Sequence, residues 1–227
     1  MAGTQFFGER IKRNEDPRLL TGQALFTDDV NLPDMLHAAF YRSPYAHGRI
    51  LSIDVSMALE MEGVVAVYTA EDLGDYWQPG PLLVSPPPVK DIVFNQRTQV
   101  PLAKDKVRFV GEPIVMVVAE SRYIAEDATD LIFVDVDPLD AVVDLAAALK
   151  PDSALVHDDL GNNISAHVVQ RKGSYESAKA NADHIINRTL EYDHGIAAAM
   201  ENRGVVAQWD RRAQRLTMWD TTQAPVF

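Results

Sequence analysis

Short strand patterns and short helix patterns alternate along this chain, and that alternation is what most constrains its fold. Polar and apolar side chains alternate in Arg49–Val55, and Leu36–Arg42 has a similar strand pattern. Met57–Met61 is predicted to form a short helix that ends at Gly63, and Val64–Tyr68 is a valine-rich strand. Strand, helix and strand in such quick succession predict an α+β or α/β fold and exclude a helical bundle.

The order strand, helix, strand recurs further along the chain. Val107–Val110 and Pro113–Ala119 are predicted strands. Ser121 occupies the N-cap position of a helix that continues to about Leu131, and Phe133–Val136 is predicted as a buried strand.

Proline and glycine mark the breaks between these blocks. Pro79–Pro88 contains five of the thirteen prolines, which predicts a long surface loop. Two further turn-rich segments, Pro151–Ser153 and Gly161–Asn163, are the best candidates for a linker.

The region after this linker starts a new set of elements. Ser174 is placed to cap a helix over Tyr175–Ala182, and Ile185–Tyr192 alternates as a strand does. Gly204–Asp210 and Leu216–Asp220 flank a polar turn, which predicts a β-hairpin.

Composition narrows the classes of function. The formal net charge is −12, which disfavours nucleic acids and anionic membrane surfaces as partners. The chain has no cysteine, so it contains no disulfide, no thiolate zinc site and no iron–sulfur cluster of its own. The longest apolar runs fall well short of the roughly 18 residues that a membrane span needs. The N-terminus lacks the design of a signal peptide, so a cytoplasmic location is expected.

Local motifs indicate little chemistry by themselves. Nucleotide-binding loops, the nucleophile elbow and the zinc-protease motif are absent, and the six histidines show no metal-ligand spacing. Acidic pairs such as Glu126-Asp127 and Asp158-Asp159 leave a two-carboxylate hydrolase open, although solvated faces and helix termini explain them more simply. Gly111-Glu112-Pro113, Met200-Glu201 and Gln223 lie in breaks beside apolar strands, where each is either a bend or a side chain facing a pocket.

The following segments, in this order, together resemble one family: Asp16–Gly22 with Phe26–Asp29, Leu36–His47, Gly63–Leu73, Val107–Pro113 with Val117–Arg122 and Ala125–Ala128, Ala199–Gly204 and Trp219–Pro225. The chain resembles the molybdenum-binding large subunit of the xanthine dehydrogenase, aldehyde oxidase and carbon monoxide dehydrogenase superfamily. The match extends from about Arg10 to the last residue, and the run of segments from Val107 to Ala128 is its most specific part.

The resemblance implies an α+β chain with a definite division. Residues 1–19 would be an N-terminal extension, and residues 20–150 would form an α/β hammerhead domain. Residues 151–227 would begin a mixed α+β molybdopterin-binding domain.

The resemblance also implies a reaction and its cofactors. Members of this superfamily oxidise an aromatic heterocycle, an aldehyde or carbon monoxide at a molybdenum–molybdopterin centre, with water as the oxygen source. The cytosine dinucleotide form of the cofactor is expected. Electrons would leave through [2Fe–2S] clusters and FAD on partner subunits, which agrees with the absence of cysteine.

One site residue is carried over from the family. Gln223, in Thr221-Thr222-Gln223, matches the glutamine that approaches the apical oxo ligand of molybdenum. No metal ligand and no catalytic base is assigned, because the family's glycine-rich loop and glutamate base would follow Phe227.

Because the family's glycine-rich loop and glutamate base are not in this sequence, two hypotheses follow. The chain alone should be inactive, being either a fragment or one piece of a divided subunit whose remainder is a further partner. The alternative is a non-catalytic interaction module that retains the hammerhead fold.

Overall fold

The computed structural model describes residues 8–80, 92–193, 195–196 and 198–222. The helices and strands in this part are short, as the sequence predicts. The strands are β1 (His37–Arg42), β2 (Gly48–Asp54), β3 (Val64–Tyr68), β4 (Ile92–Phe94), β5 (Lys106–Val107), β6 (Pro113–Ala119), β7 (Phe133–Pro138), β8 (Ala166–Val168), β9 (Val205–Asp210) and β10 (Arg215–Asp220). The helices are α1 (Asp16–Leu20), α2 (Ser56–Glu60), α3 (Arg122–Thr129), α4 (Leu145–Ala148) and α5 (Tyr175–Ala180), with single 3-10 turns at Thr27–Asp29, Gly74–Tyr76 and Asp158–Leu160.

Backbone contacts divide the chain into two compact units. The terminal unit comprises Met1–Pro33 and Arg188–Phe227, and the central unit comprises Asp34–Asn187. The terminal unit contains α1 and the β9–β10 hairpin, and the central unit contains β1 to β8 and α2 to α5. This mixture of helices and strands confirms the predicted α+β class.

Strand β6 is the centre of the central unit. It lies between β1 and β3 in an antiparallel sheet of order β1-β6-β3. Ile114, Val115 and Val117 are fully buried, so both faces of β6 are covered. A continuous apolar run is the pattern that a strand covered on both faces requires.

Helix α3 packs against this sheet, and its start follows the sequence prediction. The Ser121 hydroxyl accepts a hydrogen bond from the main-chain N–H of Ile124 at 3.3 Å, which satisfies a donor that the first turn leaves free. Ala125 and Ala128 are buried against the strands. The helix ends at Thr129, short of the predicted Leu131.

A second antiparallel sheet has the order β5-β2-β7. Gly48 begins β2 opposite Pro138 of β7. A Cβ atom at Gly48 would lie 2.5 Å from Val136 Cγ1 and 3.1 Å from the carbonyl oxygen of Asp137. Glycine is therefore required here for the close approach of the two strands.

Three sequence predictions were wrong. Val107–Val110 was predicted as a strand, but β5 ends at Val107 because the chain turns at residues 109–111.

Phe133–Val136 was predicted as a buried strand, but β7 reaches Pro138 and Phe133 is 67% exposed, because one face of this sheet is open. Ile185–Tyr192 was predicted as a strand and forms none; Tyr192 is 99% exposed. Alternation alone does not hold a strand, which needs a neighbour to pair with.

The predicted proline-rich loop lies largely outside the described residues, which resume at Ile92. No helix in the described part of the chain is long and apolar enough to cross a membrane.

Candidate functional site

The predicted site residue Gln223 lies outside the described residues, which end at Thr222. The hairpin that leads to it is described. Strands β9 and β10 pair in antiparallel register from Arg215 opposite Asp210 to Asp220 opposite Val205. This confirms the hairpin predicted from the sequence.

The turn of this hairpin is held by one carboxylate. Asp210 Oδ1 accepts hydrogen bonds from the main-chain N–H groups of Arg212 and Ala213, each at 2.9 Å. Gln214 closes the turn in the left-handed region, at φ 50°. The turn fixes the register of β10 and hence the direction in which the chain leaves that strand.

At the other end of β10, three separate segments meet around Glu201. Glu201 Oε1 accepts from the main-chain N–H of Thr27 at 3.3 Å and from the Thr221 hydroxyl at 3.4 Å. The hydroxyls of Thr27 and Thr221 lie 3.0 Å apart. Thr221 is also tied through its main-chain N–H to the carbonyl of Gly204 at 3.1 Å. We call Thr27, Glu201 and Thr221 the threonine–glutamate cluster.

Gly204 allows this cluster to close. A Cβ atom at Gly204 would lie 3.2 Å from Thr27 Cγ2 and 3.5 Å from Thr27 Cβ. The first of these distances is tighter than ordinary van der Waals contact, so the absence of a side chain lets the Thr27 segment approach the hairpin.

Thr27 is held in turn by its own 3-10 turn. Asp29 Oδ2 accepts from the main-chain N–H of Phe26 at 3.0 Å, and the Asp29 N–H donates to the carbonyl of Phe26 at 3.0 Å. These reciprocal bonds fix the backbone on either side of Thr27.

The other candidate residues from the sequence analysis lie in different environments. In Met200-Glu201, the methionine is fully exposed, whereas the glutamate belongs to the cluster.

Gly111 of the Gly111-Glu112-Pro113 bend has φ +89° and lies in the central unit. The Gly111 N–H donates to the carbonyl of Ser43 at 2.8 Å, and the Ser43 N–H donates to the carbonyl of Glu112 at 2.9 Å. The bend therefore ties β6 to the turn after β1.

Glu112 is a buried carboxyl with a structural partner. Its side chain accepts a hydrogen bond from the main-chain N–H of Arg108, and the residue is 5% exposed. Burial raises the pKa of Glu112, opposed by that hydrogen bond and by the charge of Arg108.

Members of the acidic pairs have structural partners, some of them distant in the chain. Asp158 binds the buried ammonium group of Lys106, which lowers the pKa of Asp158, and Asp159 pairs with Arg97. Asp72 accepts from both the N–H and the hydroxyl of Thr69 at 2.7 Å, which lowers the pKa of Asp72. These contacts support the interpretation of the pairs as caps and ion pairs.

The central unit also has an open cleft of about 700 Å³. Trp77 and Phe109 line it, and so does His157, whose pKa is lowered by burial and by the charge of Arg108. Its charged side chains are three of each sign: Arg97, Lys104 and Arg108 with Asp105, Glu112 and Asp159. The lining thus selects neither anions nor cations by net charge.

Within the described ranges, no three His, Cys, Asp or Glu side chains come together as metal ligands.

Sequence reasoning missed the partners that form this cluster. Thr27 is 174 residues from Glu201 and 194 residues from Thr221, so no local pattern connects them. The one available signal was that each lies in a segment of the family resemblance.

Comparison with known proteins gives two matches that divide the chain. Residues 21–140 match the family described as aldehyde oxidase and xanthine dehydrogenase, a/b hammerhead domain. Residues 156–227 match the molybdopterin cofactor-binding domain. The predicted hammerhead fold is thereby confirmed.

Individual relatives agree with these matches. The large subunit of nicotine 6-hydroxylase from Paenarthrobacter nicotinovorans is 37% identical over 97% of this chain and 26% of its own length. The carbon monoxide dehydrogenase large chain of Afipia carboxidovorans is 35% identical over 97% of this chain and 28% of its own length. The crystal structure of quinoline 2-oxidoreductase from Pseudomonas putida 86 superposes with a TM-score of 0.81 at 36% identity, covering 94% of this chain and 26% of that one. The chain thus spans about a quarter of the length of these three relatives.

Proposed function

Because the chain belongs to the aldehyde oxidase and xanthine dehydrogenase family, we propose that it is the N-terminal part of the molybdenum-cofactor subunit of a multi-subunit molybdenum hydroxylase. The single observation that carries this proposal is the order of the two matches, a hammerhead domain over 21–140 followed by a molybdopterin cofactor-binding domain over 156–227. The substrate is an aromatic heterocycle, an aldehyde or carbon monoxide. The chain by itself is inactive, because the base that deprotonates the reacting water lies outside it.

The domain limits belong to the same proposal. Residues 1–19 form an extension, residues 20–150 the hammerhead domain and residues 151–227 the start of the molybdopterin-binding domain. The matched ranges support this division, since the gap between them falls at 141–155.

The cofactor-binding match supports a molybdenum cofactor, and we propose its cytosine dinucleotide form. Iron–sulfur and FAD subunits are the proposed partners, because a chain without cysteine cannot hold an iron–sulfur cluster itself. The cytoplasm is the proposed location. The molybdenum centre, when bound, supplies the two-electron oxidation of the substrate with water as the oxygen source.

The proposed role of this chain at that centre is carried by Gln223. If the molybdenum cofactor is bound, the Gln223 amide N–H would donate a hydrogen bond to an oxygen ligand of the cofactor and would help to orient the substrate. Support comes from the described cluster, since Thr221 is fixed from several sides and only Thr222 separates it from Gln223. The described residues fit such a role, because the Thr27 and Thr221 hydroxyls and the Glu201 carboxylate form a hydrogen-bonded group at Thr221, two residues before Gln223 in the chain.

The test is metal and mass analysis of the native complex purified through this chain. The expected result is molybdenum, iron and flavin, together with at least two further subunits. A lone 25.2 kDa species without molybdenum would contradict the proposal. Further subunits without molybdenum would instead favour the non-catalytic interaction module.

A further inference from the structure

The open cleft of the central unit has the size of a site for a small organic molecule. Its volume is about 700 Å³, and ligand pockets commonly enclose about 300–1,000 Å³. Its walls come from the segments 77–79, 96–100, 104–112 and 156–159, all of them within the central unit. The charges and rings of these walls decide which molecule fits.

The acidic side chains of the cleft are mostly engaged by neighbours. Asp159 pairs with Arg97, and Glu112 accepts a hydrogen bond from the main-chain N–H of Arg108. Burial also raises the pKa of Glu112, which disfavours a negative charge there. Asp105 is exposed and forms no ion pair with a described residue. The negative charges of the lining are thus paired, disfavoured by burial or exposed to solvent.

Two cations of the cleft have no anionic partner. Arg108 and Lys104 form no ion pair within the described part of the chain. Arg108 Nη1 donates to the carbonyl of Lys106 at 3.1 Å, whereas Arg108 Nε is buried and has no hydrogen-bond partner among the described residues. A buried donor that makes no hydrogen bond is unfavourable, so this guanidinium gains by turning toward an acceptor in the cleft.

The surroundings of His157 contain more positive than negative charge. Burial lowers the pKa of His157, and the charges of Arg108 and Arg97 lower it further, against the opposing charge of Asp159. The imidazole is therefore neutral at pH 7 and has one N–H that it can donate. A negative group of a ligand is favoured at this place in the cleft.

Aromatic side chains give the cleft an apolar wall. Trp77 and Phe109 line it, and Phe109 is 41% exposed. The indole N–H of Trp77 donates to the carbonyl of Leu102 at 2.8 Å, which fixes the orientation of the ring. A fixed ring beside an exposed one provides a preformed surface for a planar apolar ligand.

We propose that this cleft binds an aromatic carboxylate, which is a planar ring that carries one negative group. The ring contacts Trp77 and Phe109. The carboxylate accepts hydrogen bonds from Arg108 and His157, and Lys104 adds positive charge. Arginine suits this role because two parallel N–H groups of a guanidinium match the two oxygens of a carboxylate. The inference goes beyond the proposed function and does not depend on it.

The test uses the full subunit in its native complex, with benzoate as the probe. Isothermal titration calorimetry at pH 7 should detect benzoate binding. Benzamide has the same shape without the charge, and acetate has the charge without the ring, so each should bind at least about tenfold more weakly. Crystals soaked in 4-bromobenzoate should show an anomalous bromine peak in the cleft beside Trp77.

Variants identify the groups that bind the probe. Lys104→Gln removes an exposed charge and should weaken benzoate binding severalfold. Arg108→Gln should weaken it at least about tenfold, and Arg108→Lys, which keeps the charge, should restore part of the loss. The matched control is Lys172→Gln, an exposed lysine of the central unit outside the cleft, which should leave the affinity unchanged. If Arg108→Gln fails to assemble, Lys104→Gln and the bromine peak still decide the test.

Three results would overturn the proposal. Equal affinities for benzoate and benzamide would show that the cations of the cleft do not select the charge. Inorganic phosphate that binds as tightly as benzoate would show that the aromatic wall plays no part. A bromine peak found only outside the cleft would place the carboxylate elsewhere. None of these measurements requires turnover, so a subunit without molybdenum should give the same binding, and this inference and the proposed function fail independently.

Discussion

Lys106 Nζ lies 3.1 Å and 3.0 Å from the two carboxylate oxygens of Asp158, although 52 residues separate them in the chain. Lys106 is the first residue of β5, an edge strand of the second sheet. It is only 4% exposed, whereas the Asp158 side chain is 58% exposed. The ammonium group also approaches the carbonyl of Leu155 at 3.4 Å. This ion pair fastens the segment after α4 to the β5-β2-β7 sheet.

Asp158→Ala should destabilise the central unit, because it leaves the buried ammonium of Lys106 without its counter-ion. Lys106→Met should cost less, since it removes the buried charge and retains the apolar stem. Urea unfolding at pH 7, followed by circular dichroism, measures both. Asp159→Ala is the control, because its pair with Arg97 is largely exposed and should contribute little. Equal losses for Asp158→Ala and Asp159→Ala would contradict the assigned role.

The same ion pair should make the stability of the central unit depend on pH. The hydrogen bond from Lys106 holds the pKa of Asp158 below its ordinary value. A lowered folded-state pKa means that the stabilisation is complete above the unfolded-state pKa, about 3.9, and is lost as pH falls through the folded-state pKa. The stability difference between wild type and Asp158→Asn should therefore be constant from pH 7 to about pH 5 and should shrink at lower pH. A difference that grew on acidification would show that the sign is wrong.

Glu112 should show the opposite dependence. Burial raises the pKa of Glu112, so its contribution is complete below the unfolded-state pKa and is lost as pH rises through the folded-state pKa. Glu112→Gln keeps an acceptor for the Arg108 N–H without a buried charge, and at pH 7 it should be at least as stable as wild type. Thermal unfolding between pH 4 and pH 8 measures this, and the advantage of the glutamine should diminish toward pH 4.

Glu112→Ala provides the matched comparison. It leaves the Arg108 N–H without its acceptor in a buried position and should cost about 1–3 kcal/mol at pH 7. An alanine variant as stable as the glutamine variant would mean that water replaces the lost acceptor.

The elements that sequence predicted well are those whose cause is local. Val64–Tyr68 forms the strand with the predicted limits, and Ser121 caps α3 through a residue three positions away. The β9–β10 hairpin also depends on a four-residue turn that its own sequence encodes, with Asp210 accepting from Arg212 and Ala213. In each case the residues that decide the structure are neighbours in the chain.

The structural features that the sequence did not predict depend on contacts between residues far apart in the chain. Ile185–Tyr192 alternates as a strand does, but a strand there would need a pairing partner from a distant segment of the chain. The pattern alone therefore gave a wrong prediction. The Lys106–Asp158 pair and the threonine–glutamate cluster join segments 52 and up to 194 residues apart, and no periodicity encodes such pairings. The assignment of Gln223 came from family resemblance, stays a prediction, and lies outside the described residues.

Asn163 should control the order of the segment between α4 and β8. Its Oδ1 accepts from the Val156 N–H at 3.0 Å, and its Nδ2 donates to the carbonyl of Ala154 at 2.8 Å and that of Ala148 at 3.3 Å. Asn163→Ala should therefore raise the rate of limited proteolysis between Ala148 and Val156 severalfold. Asn181→Ala is the control, because the Asn181 side chain bonds to Ser177 at the end of α5. Unchanged cleavage in Asn163→Ala would show that the backbone holds this segment without it.

Gly204→Ala should strain the threonine–glutamate cluster, because the new Cβ would lie 3.2 Å from Thr27 Cγ2. We expect a loss of about 1–3 kcal/mol in the unfolding of the terminal unit, as for other cases of overpacking. Fluorescence of Trp209 and Trp219 during urea unfolding reports on the hairpin, with Trp77 replaced by Phe to remove its signal.

A second substitution identifies the atom responsible for that strain. Thr27→Ser removes Cγ2 and keeps the hydroxyl, so Gly204→Ala should cost much less in the Thr27→Ser background, and the two substitutions should not be additive. Gly195→Ala is the matched control, since no described atom lies within 4 Å of a Cβ at that position. If Gly204→Ala costs the same in both backgrounds, the loss arises from the backbone of Gly204 and not from the approach of Thr27, and the cluster then closes for another reason than the missing side chain.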